Sequence, residues 1–315
     1  MKLSPQSTWW QGFIRGNRKE GQSEKKQRGA CLFLLHKVGV FHVSFYCNKV
    51  FLKTLSTKQY LFSKNLDLYL VDVTKAFQFI LRFFKEAWRP PFHFKEIVNQ
   101  CFEIGIRSLS LITLTGFVTG IVFTKQSRPS LEAFGATSWL PSLMSIAMVK
   151  ALGALVTALI CAGKVGSSIG AELGSMRVTE QIDAMEVSAI NPFKYLVVTR
   201  VVATMISVPI LALYCNFVGL IGSYINVHGH EDTSFVNFFE NGFSTLQFLD
   251  LYAAVIKPIV FGFTIGIIGC YQGYNASQGT RGVGKAANRA VVLSMFCVFV
   301  EEIVIVQITN WIRYF

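Results

Sequence analysis

The segment Leu251-Tyr-Ala-Ala-Val-Ile-Lys-Pro-Ile-Val-Phe-Gly-Phe-Thr-Ile-Gly-Ile-Ile-Gly-Cys-Tyr-Gln-Gly-Tyr274 carries one charged side chain, Lys257. It is long enough to cross about 30 Å of hydrocarbon as a helix. Comparable apolar runs lie near 104–124, 139–163, 194–225 and 290–312. An all-α integral membrane protein with five spanning helices is therefore predicted. The run at 194–225 has length to spare for tilt or a non-spanning turn, and Pro209 is expected to kink it by removing a backbone donor. Composition agrees: the 315 residues are 52% hydrophobic and 15% charged, with 28 Phe and a mean hydropathy of +0.44, unlike a soluble domain of this size.

Charges between the apolar runs set the expected orientation, because cytoplasmic loops beside membrane helices are enriched in Lys and Arg. The 226–249 loop has Glu231, Asp232 and Glu240 and neither Lys nor Arg. The 164–200 loop carries Lys164, Arg177, Lys194 and Arg200, and the 275–289 loop carries Arg281, Lys285 and Arg289. These two loops are assigned to the cytoplasm, with the N-terminus inside and the C-terminus outside. Lys125 and Arg128 in the first outer loop weaken the bias without reversing it.

The formal charge of +12 is concentrated in residues 1–65, where 12 Lys/Arg against Glu20 and Glu24 give +10. This basic extension lacks the apolar core and small-residue cleavage site of a secretory signal. Its scarcity of acids suits an organellar transit peptide, its Phe-rich run 30–51 suits one poorly, and a membrane-surface extension fits equally. Residues 66–91 read as an interfacial amphipathic helix. Lys75, Gln78, Arg82 and Lys85 recur at helical spacing among Phe77, Phe79, Phe83, Phe84 and Trp88, and Arg89-Pro-Pro91 stops the run. Packing across the helical bundle is compatible with the same pattern.

Metal and nucleotide signals are weak. The seven cysteines are scattered and read as small packing residues. His228-Gly-His230-Glu231-Asp232 has donors for a metal, but a polar loop is the simpler reading and no metal site is assigned. Gly279-Thr-Arg-Gly-Val-Gly284-Lys285-Ala286 approaches a phosphate-binding loop but has Ala where a magnesium-binding hydroxyl is needed, and it follows a membrane helix instead of a strand. No catalytic constellation is found, no cofactor is assigned to this chain and no nucleic-acid partner is expected.

Between two apolar runs lies Gly170-Ala-Glu-Leu-Gly-Ser-Met-Arg-Val-Thr-Glu-Gln-Ile-Asp-Ala-Met185. On a helix, Arg177, Glu180 and Asp183 recur every third residue and form a charged face, with Ile182 and Met185 elsewhere. Such a face fits either a solvated surface or the groove of a soluble partner. Lys150, Lys257, Glu301 and Glu302 fall within the apolar runs, where a charge near the bilayer centre costs about 2.5–3.5 kcal/mol and needs a partner or water. A structural ion pair and a lipid-pathway or gating role are both open. For Lys257 the candidate partners are Glu172, Glu301 and Glu302. Gly262, Gly266, Gly269 and Gly273 form a small-residue stripe suited to helix packing, within the chain or across a dimer.

Several ordered segments resemble MlaE-type permeases of ABC transporters, a family that includes the plastid trigalactosyldiacylglycerol lipid-import permease. They are Arg89-Pro-Pro-Phe92, Gly105-Ile-Arg-Ser-Leu109, Leu114-Thr-Gly-Phe-Val-Thr-Gly120, Ala162-Gly-Lys-Val-Gly-Ser167, the 170–185 stretch, Asn191-Pro-Phe-Lys-Tyr195, Lys257-Pro-Ile-Val-Phe-Gly262, Cys270-Tyr-Gln-Gly273 and Gly282-Val-Gly-Lys-Ala286. The resemblance runs from about Phe77 onward, and residues 92–315 are taken as the permease domain. It implies that 170–185 is a cytoplasmic coupling helix, with Glu172, Met176, Arg177, Glu180, Gln181 and Asp183 contacting an ABC ATPase that carries the ATP and Mg. It further implies a homodimer, an MCE-domain lipid-binding partner and phospholipid as cargo. The expected location is the bacterial inner membrane or, alternatively, the plastid inner envelope.

Where the family commonly shows Arg-Glu-Leu-Gly-Pro, this chain has Lys150-Ala-Leu-Gly-Ala154, so any role of that acidic group does not transfer. Glu301-Glu302 likewise stand where one acid is usual. Rival classes are an ion-coupled secondary transporter or an integral-membrane enzyme using the buried acids. The chain shows neither inverted repeats nor a convergent set of reactive groups.

Overall fold

The computed structural model describes residues 73–90, 93–229 and 233–314. The chain divides into two compact units, Met1–Lys75 and Ala76–Phe315. The basic extension 1–65 and the first residues of the expected interfacial helix lie outside the described residues. The second unit is built from helices, and among the described residues there is no strand.

A helix at 73–87 (α1) is followed by α2 (Phe94–Ala133), α3 (Thr137–Val178), α4 (Gln181–Val187), α5 (Phe193–His228), α6 (Phe235–Ser244), α7 (Phe248–Tyr274) and α8 (Thr280–Tyr314). The helices α2, α3, α5, α7 and α8 are long and apolar enough to cross a membrane, and they correspond to the five predicted spans. Each is longer than its apolar run. α2, with 40 residues, extends to about 60 Å at 1.5 Å per residue, twice the hydrocarbon thickness. Lys125 and Arg128, read as loop charges, therefore sit on its last turns. Pro209 lies within α5, and the helix continues on both sides of it.

α5 is the axis of the bundle. Its buried residues run around the helix, including Val201, Thr204, Val208, Leu211, Cys215, Gly219 and Ser223. α2 instead buries one stripe at every fourth position, namely Gln100, Ile104, Ser108, Ile112, Gly116, Gly120 and Thr124. α8 does the same with Ala286, Ala290, Ser294 and Val298. The remaining faces of these outer helices expose Phe102, Leu114, Val118, Phe296, Phe299 and Ile303, as expected of helices bathed in lipid.

Glycines set how closely the helices approach. A Cβ at Gly120 would meet the backbone of Gly219, and the Ser223 hydroxyl donates across the same contact to the Gly120 carbonyl at 3.2 Å. The predicted glycine stripe on α7 is used within the chain. Gly262 and Gly266 face Thr204 and Val201 of α5, whereas Gly269 and Gly273 face α3 at Gly166, Ile169, Gly170 and Leu173.

Three π-helical turns interrupt the spans, at Met148–Leu152 and Ala162–Gly166 in α3 and at Phe193–Val198 opening α5. Each contains one lysine, Lys150, Lys164 or Lys194. A π turn displaces the regular ladder and turns carbonyls outward, which suits a neighbouring ammonium donor. α1 packs at the start of α5 and the end of α7. Phe79 meets the edges of Phe193 and Tyr271, with centroids 4.9 and 5.4 Å away, and Arg82 lies 4.3 Å above the Phe193 ring.

Replacing Gly120 with Ala should lower stability by about 1–3 kcal/mol, because the added methyl meets backbone that cannot rotate away. Gly105→Ala, with open space around the new methyl, should be neutral or stabilising through helix propensity. Unfolding midpoints in an SDS titration distinguish the two outcomes.

Candidate functional site: an intramembrane charge network and an exposed charged turn

Three of the four intramembrane ionisable residues singled out from the sequence, Lys150, Lys257 and Glu302, converge in one network across α3, α7 and α8, and Glu301 lies beside it. Lys257, with 3% of its side chain exposed, donates to Glu302 Oε1 at 2.8 Å and to the Lys150 carbonyl at 3.0 Å. That carbonyl belongs to the π turn Met148–Leu152. Lys150 Nζ lies 2.9 Å from Asp250 Oδ2, and Arg313 bonds the other oxygen of the same carboxylate. Asp250 is buried and also caps α7, accepting the Gln247 N–H at 3.2 Å. Two helical turns beyond Lys257 on the same helix, Thr264 donates to Glu301 Oε1 at 2.5 Å. The second oxygens of Glu301 and Glu302 are buried without a protein partner.

Of the three candidate partners for Lys257, the structure selects Glu302. Counter-charge for this lysine thus comes from α8, in a chain that has Ala151 where the related pattern carries an acid. Asp250 and Arg313 were missed because each lies one residue outside an apolar run, at 251–274 and 290–312. The antiparallel pairing of α7 and α8 brings these two ends together.

The 170–185 stretch departs from the expected single helix. α3 ends at Val178, Glu180 takes a left-handed conformation with φ 58, and α4 begins at Gln181. The Thr179 hydroxyl returns to the Ser175 carbonyl at 2.9 Å and its N–H bonds the same oxygen at 3.0 Å, which closes the last turn of α3. The reversal lets Ile182 bury completely while Met176 and Met185 pack at the edge of the core. Arg177 and Asp183 therefore do not lie along one helix face; they pair across the turn at 2.5 Å. Arg177, Glu180, Gln181 and Asp183 are exposed.

Glu172 differs from its neighbours in that group. It pairs with the buried Arg200 of α5 at 2.6 Å, tying α3 to α5. Arg200, counted from sequence among the loop charges, is an internal residue. His228 Nδ1 donates to the Thr233 carbonyl, 3.0 Å away, and its ring stacks on Tyr224; residues 230–232 of the His-rich loop lie outside the described residues. The Gly279–Ala286 run forms the beginning of α8, with Gly279 at φ +88.

Comparison with known proteins places this geometry. The family model described as Permease MlaE matches residues 97–308. The chain belongs to the MlaE permease family. It is 34% identical over 238 residues to a probable ABC transporter permease protein of Rickettsia prowazekii, covering 76% of this chain and 91% of that one. It is 32% identical over 241 residues to one of Synechocystis, covering 76% and 90%. The chloroplastic protein TRIGALACTOSYLDIACYLGLYCEROL 1 of Arabidopsis thaliana is 30% identical over 230 residues, covering 73% and 65%. An MlaE permease is a membrane subunit of an ABC transporter, and the matched range 97–308 contains the intramembrane lysines, both glutamates and the exposed turn, leaving Arg313 just beyond it.

Lys257→Met should destabilise the protein by about 3–5 kcal/mol, because it leaves the buried Glu302 carboxylate without its cation. Adding Glu302→Leu should recover most of that loss. A double-mutant cycle on SDS-unfolding midpoints checks the coupling, and additive effects would dissolve the pair.

Proposed function

We propose that this chain is the permease subunit of an ABC transporter that moves phospholipid between its membrane and an MCE-type carrier. It works as a homodimer with two separate ATPase subunits that hold ATP and Mg. The observation that carries this reading is the exposed α3–α4 turn. Ile182 fixes it to the bundle while Arg177, Glu180, Gln181 and Asp183 remain available to a partner. Such a turn can transmit a push to α3, and through the Glu172–Arg200 pair to α5.

The basic residues at this end of the bundle favour the cytoplasmic side for it, and the expected membrane is a bacterial inner membrane or a plastid inner envelope. The lipid cargo is supported by the resemblance to the chloroplastic relative, whose name is that of a glycerolipid. α1 lies against the bundle at the same end, where its exposed Phe77, Phe84 and Trp88 suit the membrane interface and its basic residues suit phosphate. The buried, unpartnered oxygens of Glu301 and Glu302 favour one alternative, ion-coupled transport without an ATPase.

A charge swap tests the proposal. Arg177→Asp combined with Asp183→Arg keeps an ion pair across the turn but inverts the surface that a partner meets. Correctly inserted swapped permease should recover about tenfold less ATPase in mild detergent, a loss of about 1.4 kcal/mol of complementarity, and lose lipid transport. Unchanged ATPase recovery together with unchanged transport would remove the turn from the coupling role. Full transport by the chain alone, driven by an ion gradient, would support the alternative.

A further inference from the structure

Lys164 lies fourteen residues along α3 from Lys150, about 21 Å away on a helix, and separates two cavities of different character. On one side is a small pocket between α2 and α3 where the polar side chains of Glu103, Arg107, Ser108, Lys164 and Glu172 stand among Ile104, Val165 and Ile169. On the other is an open apolar groove that includes Leu111, Leu114, Leu159, Ile160 and Met295, with Lys164 again at its edge. A cluster of charged and polar side chains joined at a lysine to an apolar groove has the division of a lipid molecule.

Two polar groups, the unpartnered Ser108 hydroxyl and the Lys164 ammonium, aim this site at an anion. Ser108 is 1% exposed, yet its hydroxyl has no partner. Elsewhere on α2, Thr113, Thr115, Thr119 and Thr124 each return their hydroxyl to the carbonyl four residues back. Ser108 does not, and a buried polar group without a bond carries a cost that a ligand can relieve. Lys164 bonds the Arg107 carbonyl. Its ammonium has two further donors, and among the described residues no carboxylate lies within ion-pair distance of it. The other charges are matched: Arg107 pairs with Glu103 at 2.6 Å, and Glu172 with Arg200. One positive charge remains, equal and opposite to one phosphodiester.

We infer that α2 and α3 form a phospholipid-binding site at the cytoplasmic end of the bundle, with the phosphodiester on Lys164 and Ser108 and an acyl chain in the Leu111–Leu114–Ile160 groove. This rests on the phospholipid reading above and adds a site separate from the intramembrane network and the coupling turn. Its binding requires no ATPase and no transport, so the two proposals fail separately.

The test uses the full chain in detergent, with the thermal midpoint Tm followed while dioctanoyl phosphatidylglycerol is added. The expected result is a saturable rise in Tm that neither inorganic phosphate nor an uncharged dioctanoyl galactosyl lipid produces. Lys164→Met should weaken the response about tenfold and Lys164→Arg should retain it. Ser108→Ala should weaken it about threefold with no loss of Tm in the absence of lipid, which keeps the test open even where Lys164→Met fails to fold. A diazirine-bearing phosphatidylglycerol should label peptides containing residues 111–114 or 159–163. An equal rise from phosphate alone or from the galactosyl lipid would overturn the inference. So would an unchanged response in both Lys164→Met and Ser108→Ala, or labelling confined to other helices. A shift of dimer to monomer in Lys164→Met with its lipid response intact would assign the groove to a second copy instead.

Discussion

Backbone-to-backbone approach along α5 is the constraint on which the rest of the structure depends. Within a bilayer the apolar effect does not drive helix against helix, since lipid tails are as apolar as leucine, and close van der Waals packing takes over. Gly120 and Gly219 on one side of α5, and Gly262 and Gly266 facing its other side, permit that packing. With α2 and α7 fixed to α5 in this way, α3 and α8 complete the bundle. The bulky residues of α2 and α8 are left to face outward.

The same packing determines where charge can reside. Lys257 is buried between helices that glycine has drawn together, so its ammonium cannot reach the interface along its own stem and must be satisfied internally. Glu302 supplies charge, and the π turn at Met148–Leu152 supplies a carbonyl. Asp250, held from both sides by Lys150 and Arg313, extends the network to the ends of α7 and α8. Three helices are thereby linked by polar contacts in a medium that offers no competing solvent.

The spans were legible because twenty apolar residues have few other uses, and the family was legible from segments whose order along the chain is preserved. The glycine stripe on α7 was legible as packing, although its division between α5 and α3 was not. Pairings were hidden wherever they depended on which helices are neighbours. Lys257 had three acids within reason, and only the antiparallel register of α7 and α8 selects Glu302. Arg200 read as a loop charge because the start of α5 lies closer to Glu172 than its sequence distance suggests. The reversal at Glu180 was invisible because no glycine or proline marks it; a glutamate adopts the left-handed conformation there, held by the buried Ile182 just beyond. The Gly116–Gly120 contact was within reach of the small-residue rule that found the stripe on α7.

The lysine-bearing π turns also fix the rotational phase of the spans. Each holds one residue more per turn than the α ladder around it, so α3 as a whole carries two residues that do not advance its α-helical face. Losing one residue at Met148–Leu152 would leave an ordinary, well-bonded helix with its two flanks still in phase, whereas losing one from an α-helical stretch would rotate every position before it by about 100° relative to everything after it. Met144, Thr157 and Leu173 then could not all point inward. Among members of the family, single-residue length differences in α3 are therefore tolerable where a π turn forms or disappears to absorb them, and sequence comparison across this helix must expect its gaps at those turns.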